Sequence, residues 1–237
     1  MVCREEHKQL IRRRRQREKD QRVGSILEAA RRVFFTKGYL RATMEEIALV
    51  AEVSKPTIYN YFRTKDELFY SLMLPVVERF QRELDIIVQR LLQRKYRSGR
   101  RLIRDLFRGF FRAYSEDPDS FQVVQLFQQT GMVGALDEGV RSLLNQKGAQ
   151  AFGSARRIME MGIQQGLIKP ADVFGLVDAF WGLFLGIVQL ERVKSPTKPL
   201  PPHLRSTLEV AESIFSTGTL PSQGAPYTRR RASCHEG

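Results

Sequence analysis

Apolar residues recur at helical spacing along most of the chain, and nowhere do they alternate in the manner of a strand. The first stripe is Ile26, Ala30, Val33 and Phe34. Gly38 fits the left-handed residue that closes such a helix, with Tyr39 and Leu40 packing behind it. Thr43 and Glu46 have the spacing of a capping box, in which a hydroxyl and a carboxylate satisfy the free amides that open a helix. Ile47, Ala48 and Ala51 continue that helix until Glu52-Val53-Ser54 breaks it. Ser54 is a second N-cap, and Pro56 behind it is tolerable in a first turn. Thr64 and Glu67 then open another helix. Two short helices joined by a three-residue turn predict a helix-turn-helix, whose second helix can lie in a major groove. That helix is expected at Lys55–Tyr61, held from below by Ile58 and Phe62. Lys55, Thr57, Tyr59, Asn60 and Tyr61 carry groups able to bond phosphates or base edges.

Beyond Thr64 the pattern predicts a second, larger helical region. Leu68, Leu72, Val76, Phe80, Leu84, Ile87 and Leu91 keep helical spacing over one long run, which Pro75 is expected to kink or split. After a break at Ser98-Gly99, the next apolar face is Ile103, Leu106, Phe107, Phe110, Phe111 and Tyr114. Further helices are expected from Phe121, from about 136 to 165, and from about 172 to 193. The last of these is apolar almost all round, so both of its seams must be buried. One seam is Val173, Leu176, Phe180, Leu183, Ile187 and Leu190; the other is Phe174, Val177, Trp181, Leu185 and Val188. Asp178 and Gln189 interrupt the run, which disfavours a membrane span. A Pro-rich connection at 195–202 leads to one more amphipathic helix with Leu204, Leu208, Ala211 and Phe215. The expected fold class is all-α with about nine helices.

Charge adds a partner to this picture. The 237 residues carry a formal charge of +13, and residues 1–65 alone hold sixteen Lys and Arg against eight Asp and Glu. A positive charge gathered around a helix-turn-helix is what phosphate binding requires. Residues 1–22 include Arg12, Arg13, Arg14, Arg15 and Arg17 with almost nothing to bury, and are read as a flexible basic arm that follows or enters a groove once DNA is bound. Met1 leads into charged residues with no apolar segment. Cys3 and Cys234 lie in opposite tails and match no metal or disulfide spacing, so a reducing cytoplasm is the expected setting.

Residues 26–70, ILEAARRVFFTKGYLRATMEEIALVAEVSKPTIYNYFRTKDELFY, resemble the DNA-binding domain of the TetR family of bacterial transcriptional regulators, most specifically in VSKPTIYNYFRTKDEL. The chain departs from the family at Glu52, where many members have glycine. The resemblance implies a head at 23–70 and an effector-binding and dimerisation domain at 71–216, followed by a disordered tail at 217–237. It implies a homodimer whose last two helices pack as a four-helix bundle. Such a dimer binds a near-palindromic double-stranded DNA operator, acts most often as a repressor, and is released by a small-molecule effector. By carry-over, Thr43 holds a phosphate, Lys55, Thr57 and Asn60 face the groove, Tyr59 and Lys65 contact the backbone, and Tyr61 fills the aromatic position at the end of the reading helix.

The remaining chemistry is mostly absent. No phosphate-binding glycine loop, nucleophile elbow or Cys/His cluster occurs, and His7, His203 and His235 are scattered, so neither an enzyme, a cofactor nor a metal is expected. The second region is nevertheless rich in large rings. Phe107, Phe110, Phe111, Tyr114, Phe127, Met159, Trp181 and Phe184 are the candidate lining of an apolar effector pocket. Leu176, Phe180, Leu183, Ile187 and Leu190, with Leu208 and Phe215, are the candidate dimer interface, although periodicity alone leaves the choice of seam open. The competing readings are an architectural DNA-binding protein in which those rings are only core, and a helical enzyme or adaptor with a degenerate head. The intact Thr57, Tyr59 and Lys65 argue against the latter.

Overall fold

The computed structural model describes residues 4–129 and 132–221; the side chains of 4, 5, 7, 126–129, 132 and 133 are not described. Among these residues there are nine α-helices, one 3-10 turn and no strand. The helices are α1 (Arg4–Lys37), α2 (Met44–Val50), α3 (Lys55–Tyr61), α4 (Lys65–Leu92), α5 (Gly99–Ser115), α6 (Pro118–Gln129), α7 (Glu138–Gln164), α8 (Val173–Lys194) and α9 (Leu204–Thr219). The 3-10 turn, Met132–Ala135, lies between α6 and α7. The all-α class is therefore as the periodicity predicts.

Three expectations change. Residues 4–22, anticipated as a flexible arm, are instead about five turns of α1. Arg, Gln, Glu and Lys are good helix formers, and Arg14 with Glu18 and Gln16 with Asp20 bond across single turns at 2.8 and 2.7 Å. Pro75 does not split α4, which is continuous from Lys65 to Leu92. α9 carries Thr217–Thr219, so helix persists into the stretch expected as tail; the rest of that tail from 222, with Cys234 and His235, lies outside the described residues, as do Met1 to Cys3.

The chain forms two compact units. The first comprises residues 1–78 and 117–148, the second residues 79–116 and 149–237. The expected head, 23–70, falls within the first unit, which also takes in α6 and the start of α7. Its core joins Ile26, Ala30 and Phe34 of α1 to Ile47 of α2, Ile58 of α3 and Leu68 and Phe69 of α4, all at most 3% exposed. Phe34, Tyr39 and Phe69 form a ring triangle with centroids 5.0–5.6 Å apart.

The second unit packs the later half of α4, α5, the later half of α7, α8 and α9 around one apolar core. α5 buries Leu102, Ile103, Leu106, Phe107, Phe110 and Tyr114 on one face. α8 buries only Val177, Phe180, Phe184, Val188 and Glu191. Ion pairs tie the rim: Arg112 to Glu83, Arg104 to Glu212 and Arg90 to Asp105. α8 is long and apolar enough to cross a membrane by length and composition, but its buried face is occupied by rings from α4 and α5 and by α9.

Candidate nucleic-acid interface and effector site

The helix-turn-helix is built by two caps and a strained turn. Thr43 Oγ1 accepts the amide of Glu46 at 3.2 Å, and Glu46 Oε2 accepts the amide of Thr43 at 3.2 Å, completing the capping box at the start of α2. Ser54 Oγ accepts the amide of Thr57 at 3.3 Å to open α3. Between them the chain reverses at Glu52, whose φ of 54° is left-handed without the glycine that makes such a turn easy. Thr64 Oγ1 caps α4 by accepting the Glu67 amide at 3.0 Å, while Glu67 Oε2 takes the Arg63 amide at 2.7 Å, one residue outside the expected box.

These anchors leave a polar face outward. Ile58 is fully buried and Phe62 is 5% exposed, whereas Lys55, Tyr59 and Asn60 are exposed and Thr57 and Tyr61 are half-buried. Thr43 is exposed, and its hydroxyl uses a lone pair for the cap, which leaves the O–H proton for a phosphate oxygen. Ser54 Oγ and Thr57 Oγ1 lie 2.7 Å apart and share one hydrogen, so the pair retains one donor for a phosphate or base.

Two of the expected cations behave differently. Lys65 is turned inward: its ammonium donates to the carbonyls of Tyr39 at 2.8 Å, Leu40 at 3.4 Å and Ala42 at 3.1 Å, and sits over the Tyr39 ring. Partial burial lowers its pKa. The three ammonium protons point to the loop carbonyls, not outward as the carry-over expects. Lys55 is exposed but paired with Glu45 of α2; the hydrogen bond between them raises the lysine pKa and lowers that of the glutamate. Lys37 likewise pairs with Glu46, whose pKa it lowers. Sequence reading assigned Glu46 to capping and missed both lysine partnerships; the adjacent acids in the first turn of α2 were the available signal.

In the second unit the structure gathers four of the eight candidate effector residues, Phe107, Phe110, Trp181 and Phe184, into one aromatic cluster. Phe110 lies 4.8 Å from Phe180, 5.4 Å from Phe184 and 5.9 Å from Trp181. Phe80 adds a contact of 4.9 Å to Phe110, and Phe107 one of 4.9 Å to Phe180. Tyr114 and Met159 are buried, Phe111 is half-buried, and the Phe127 side chain lies outside those described. Phe152 joins the cluster 6.3 Å from Trp181, and Phe80 was missed because it reads as an ordinary member of the α4 stripe. At the half-buried edge, Gln81 Nε2 donates to Ser154 Oγ at 2.9 Å and to Asp85 Oδ1 at 2.7 Å.

The candidate dimer seam divides. Phe180, Leu208 and Phe215 are 3, 4 and 8% exposed and pack inside their own subunit, with 5.8 Å between the Phe180 and Phe215 rings. They are corrected to core, because α9 and α5 close over that side of α8. Leu176, Leu183 and Ile187 are half-buried and Leu190 is 51% exposed. The exposed apolar residues that periodicity missed are Val193 on α8 and Val210 and Ile214 on α9.

Residues 26–72 match the sequence profile described as bacterial regulatory proteins, tetR family. The chain is 26% identical over 147 residues to the HTH-type transcriptional regulator YhgD of Bacillus subtilis, an alignment spanning 62% of this chain and 72% of that one. It is 33% identical over 108 residues to the HTH-type transcriptional activator FasR of Mycolicibacterium smegmatis, covering 45% of this chain and less than half, 46%, of the relative. The fold is similar to the crystal structure of AibR in complex with isovaleryl coenzyme A and operator DNA. That match has a TM-score of 0.60 and 20% identity, and covers 81% of this chain and 97% of that one. Helix order, caps, reading helix and profile agree, and the chain belongs to the TetR family of helix-turn-helix transcriptional regulators.

Proposed function

We propose that this regulator works in the cytoplasm as a homodimeric repressor that binds a near-palindromic operator and is released by a small, largely apolar effector. The observation that carries the reading is the outward face of α3, where exposed Lys55, Tyr59 and Asn60 stand on a helix pinned by buried Ile58 and Phe62. Such a face offers an amide suited to adenine edges together with a phenol and an ammonium suited to phosphates.

Dimerisation is supported by the uncovered apolar positions Leu190, Val193, Val210 and Ile214, on the two helices that follow one another at the end of the fold. An apolar effector is supported by the aromatic cluster with Gln81 and Ser154 at its edge, and by the neighbour seen with isovaleryl coenzyme A. α4 begins in the head and continues into the second unit, so a ligand that shifts it alters the spacing of two heads, which must lie about 34–36 Å apart on DNA. By reciprocity, an effector that weakens operator binding binds more weakly when operator is present. Activation is a second reading, favoured by the name of one relative. Transcription from the bound promoter, assayed with and without the protein, separates the two: a fall on adding protein supports repression, and a rise overturns it.

A further inference from the structure

The second unit holds a concentration of positive charge that the head does not explain. Residues 90–112 contain nine Arg and Lys against the single acid Asp105, while the rest of 66–237 carries a net charge of −3. Three of the nine are neutralised: Arg90 by Asp105 at 2.7 Å, Arg104 by Glu212 at 3.2 Å and Arg112 by Glu83 at 2.6 Å. Six have no ion pair among the described residues. Arg94, Lys95 and Arg97 lie in the α4–α5 turn, Arg100 and Arg101 in the first turn of α5, and Arg108 on its outer face. All six are exposed.

This arrangement opposes the local rules of helix stability. Cations in a first turn face the positive end of the helix dipole, and α5 has no acid there to offset them. Arg100, Arg104 and Arg108 of α5 are like charges at successive i, i+4 positions, with only Arg104 paired to an acid. The start of α5 is also fixed in place. Gly99 is buried so closely that a side chain there would collide with the Leu167 carbonyl and Leu220. A rigid, self-repelling row of arginines breaks the agreement between local preference and fold that ordinary surfaces keep, and such breaks mark functional sites.

We propose that the α4–α5 turn and the outer face of α5 form a second surface for double-stranded DNA, binding its phosphate backbone independently of sequence. The row follows the outer face of one straight helix, spanning about 12 Å from Arg100 to Arg108 at the helical rise per residue. That shape suits an extended polyanion better than a compact phosphate ligand, which needs a concave cradle. A membrane surface is disfavoured because the apolar face of α5 is consumed by the core, leaving nothing to insert. Guanidinium groups are well matched to phosphate oxygens.

The test uses the full chain and a long duplex of random sequence. Binding is followed by fluorescence anisotropy across a salt series, for wild type, the variant R97Q/R100Q/R101Q/R108Q and the head variant Lys55→Ala. The fourfold variant is expected to flatten the log–log salt slope by about three to four units, near 0.9 per lost phosphate contact, with its helical circular dichroism retained. Should the fourfold variant fail to fold, R101Q/R108Q carries the test, with a fall of about two units. An unchanged slope in the ridge variants, with a reduced slope in Lys55→Ala, overturns the proposal and leaves the head reading standing. Loss of binding to phosphatidylserine vesicles without any change on DNA also overturns it, in favour of a lipid surface.

Discussion

Lys65 and Tyr39 meet twice: the lysine ammonium donates to the Tyr39 carbonyl at 2.8 Å and lies 4.4 Å from the centre of its ring. The same ammonium holds the carbonyls of Leu40 and Ala42, so the first residue of α4 fixes the loop that delivers Thr43 to the start of α2. Lys65 is therefore expected to act on DNA binding through position rather than contact.

Lys65→Met keeps the stem and removes the donors. It is expected to cost about 1–3 kcal/mol, because loop carbonyls lose charged hydrogen bonds and the ring loses its cation. The thermal midpoint should fall, and operator affinity should fall with it, while the salt slope stays as in wild type. A slope reduced by about one unit would instead assign Lys65 to a phosphate.

At Glu52 the prediction runs toward greater stability. A non-glycine residue at φ 54° meets a steric cost of about 1 kcal/mol that glycine avoids. Glu52→Gly should raise the thermal midpoint by about 2–4 °C per kcal/mol recovered in a chain of this size. No gain would mean that the surrounding turn already relieves the strain.

How far the sequence reaches depends on the kind of signal. The starts of α2 and α3 were legible to the residue, because Thr43 and Ser54 use short side chains to satisfy specific amides and leave little freedom of placement. The extent of α1 was not, because a run whose only apolar residues are the adjacent Leu10 and Ile11 carries no periodicity, and its helix rests on propensity and i, i+4 pairs such as Arg14–Glu18. The candidate site was half legible. Exposure of Lys55, Tyr59 and Asn60 follows from burial of Ile58 and Phe62, but the partners of Lys65 are 23 to 26 residues away, beyond any local pattern. Phe180 was misplaced because a helix apolar all round does not declare which seam meets its own α5 and α9.

That distinction between seams is itself testable. Ile214→Glu places charge on a residue 66% exposed, so it should leave the fold intact and yield monomers by sedimentation. Phe180→Ala empties the aromatic cluster and should cost about 3–5 kcal/mol of stability instead. A stable Ile214→Glu dimer would move the interface elsewhere.

Tyr96 gives a titration with a defined sign. Burial, with Asp105 adding to it, pushes its phenol up to about 12. A raised folded-state pKa stabilises the protonated form, so its contribution is complete below the unfolded value near 10 and is lost as pH rises through about 12. Ultraviolet titration should show one phenolate forming near that upper value, absent in Tyr96→Phe. A wild-type minus Tyr96→Phe difference signal appearing near 10 would contradict the Tyr96–Asp105 contact.

Central to the account is that α3 reads DNA, and the most direct measurement is an anisotropy titration of duplexes from the regulated promoter and from a scrambled control. Wild type should prefer the promoter, and Asn60→Ala should lose about 1–3 kcal/mol of that preference with the salt slope unchanged. Lys55→Ala should weaken both duplexes and lower the slope by about one unit. Equal preference and equal slope in wild type and both variants would contradict the claim that this helix is the reading element.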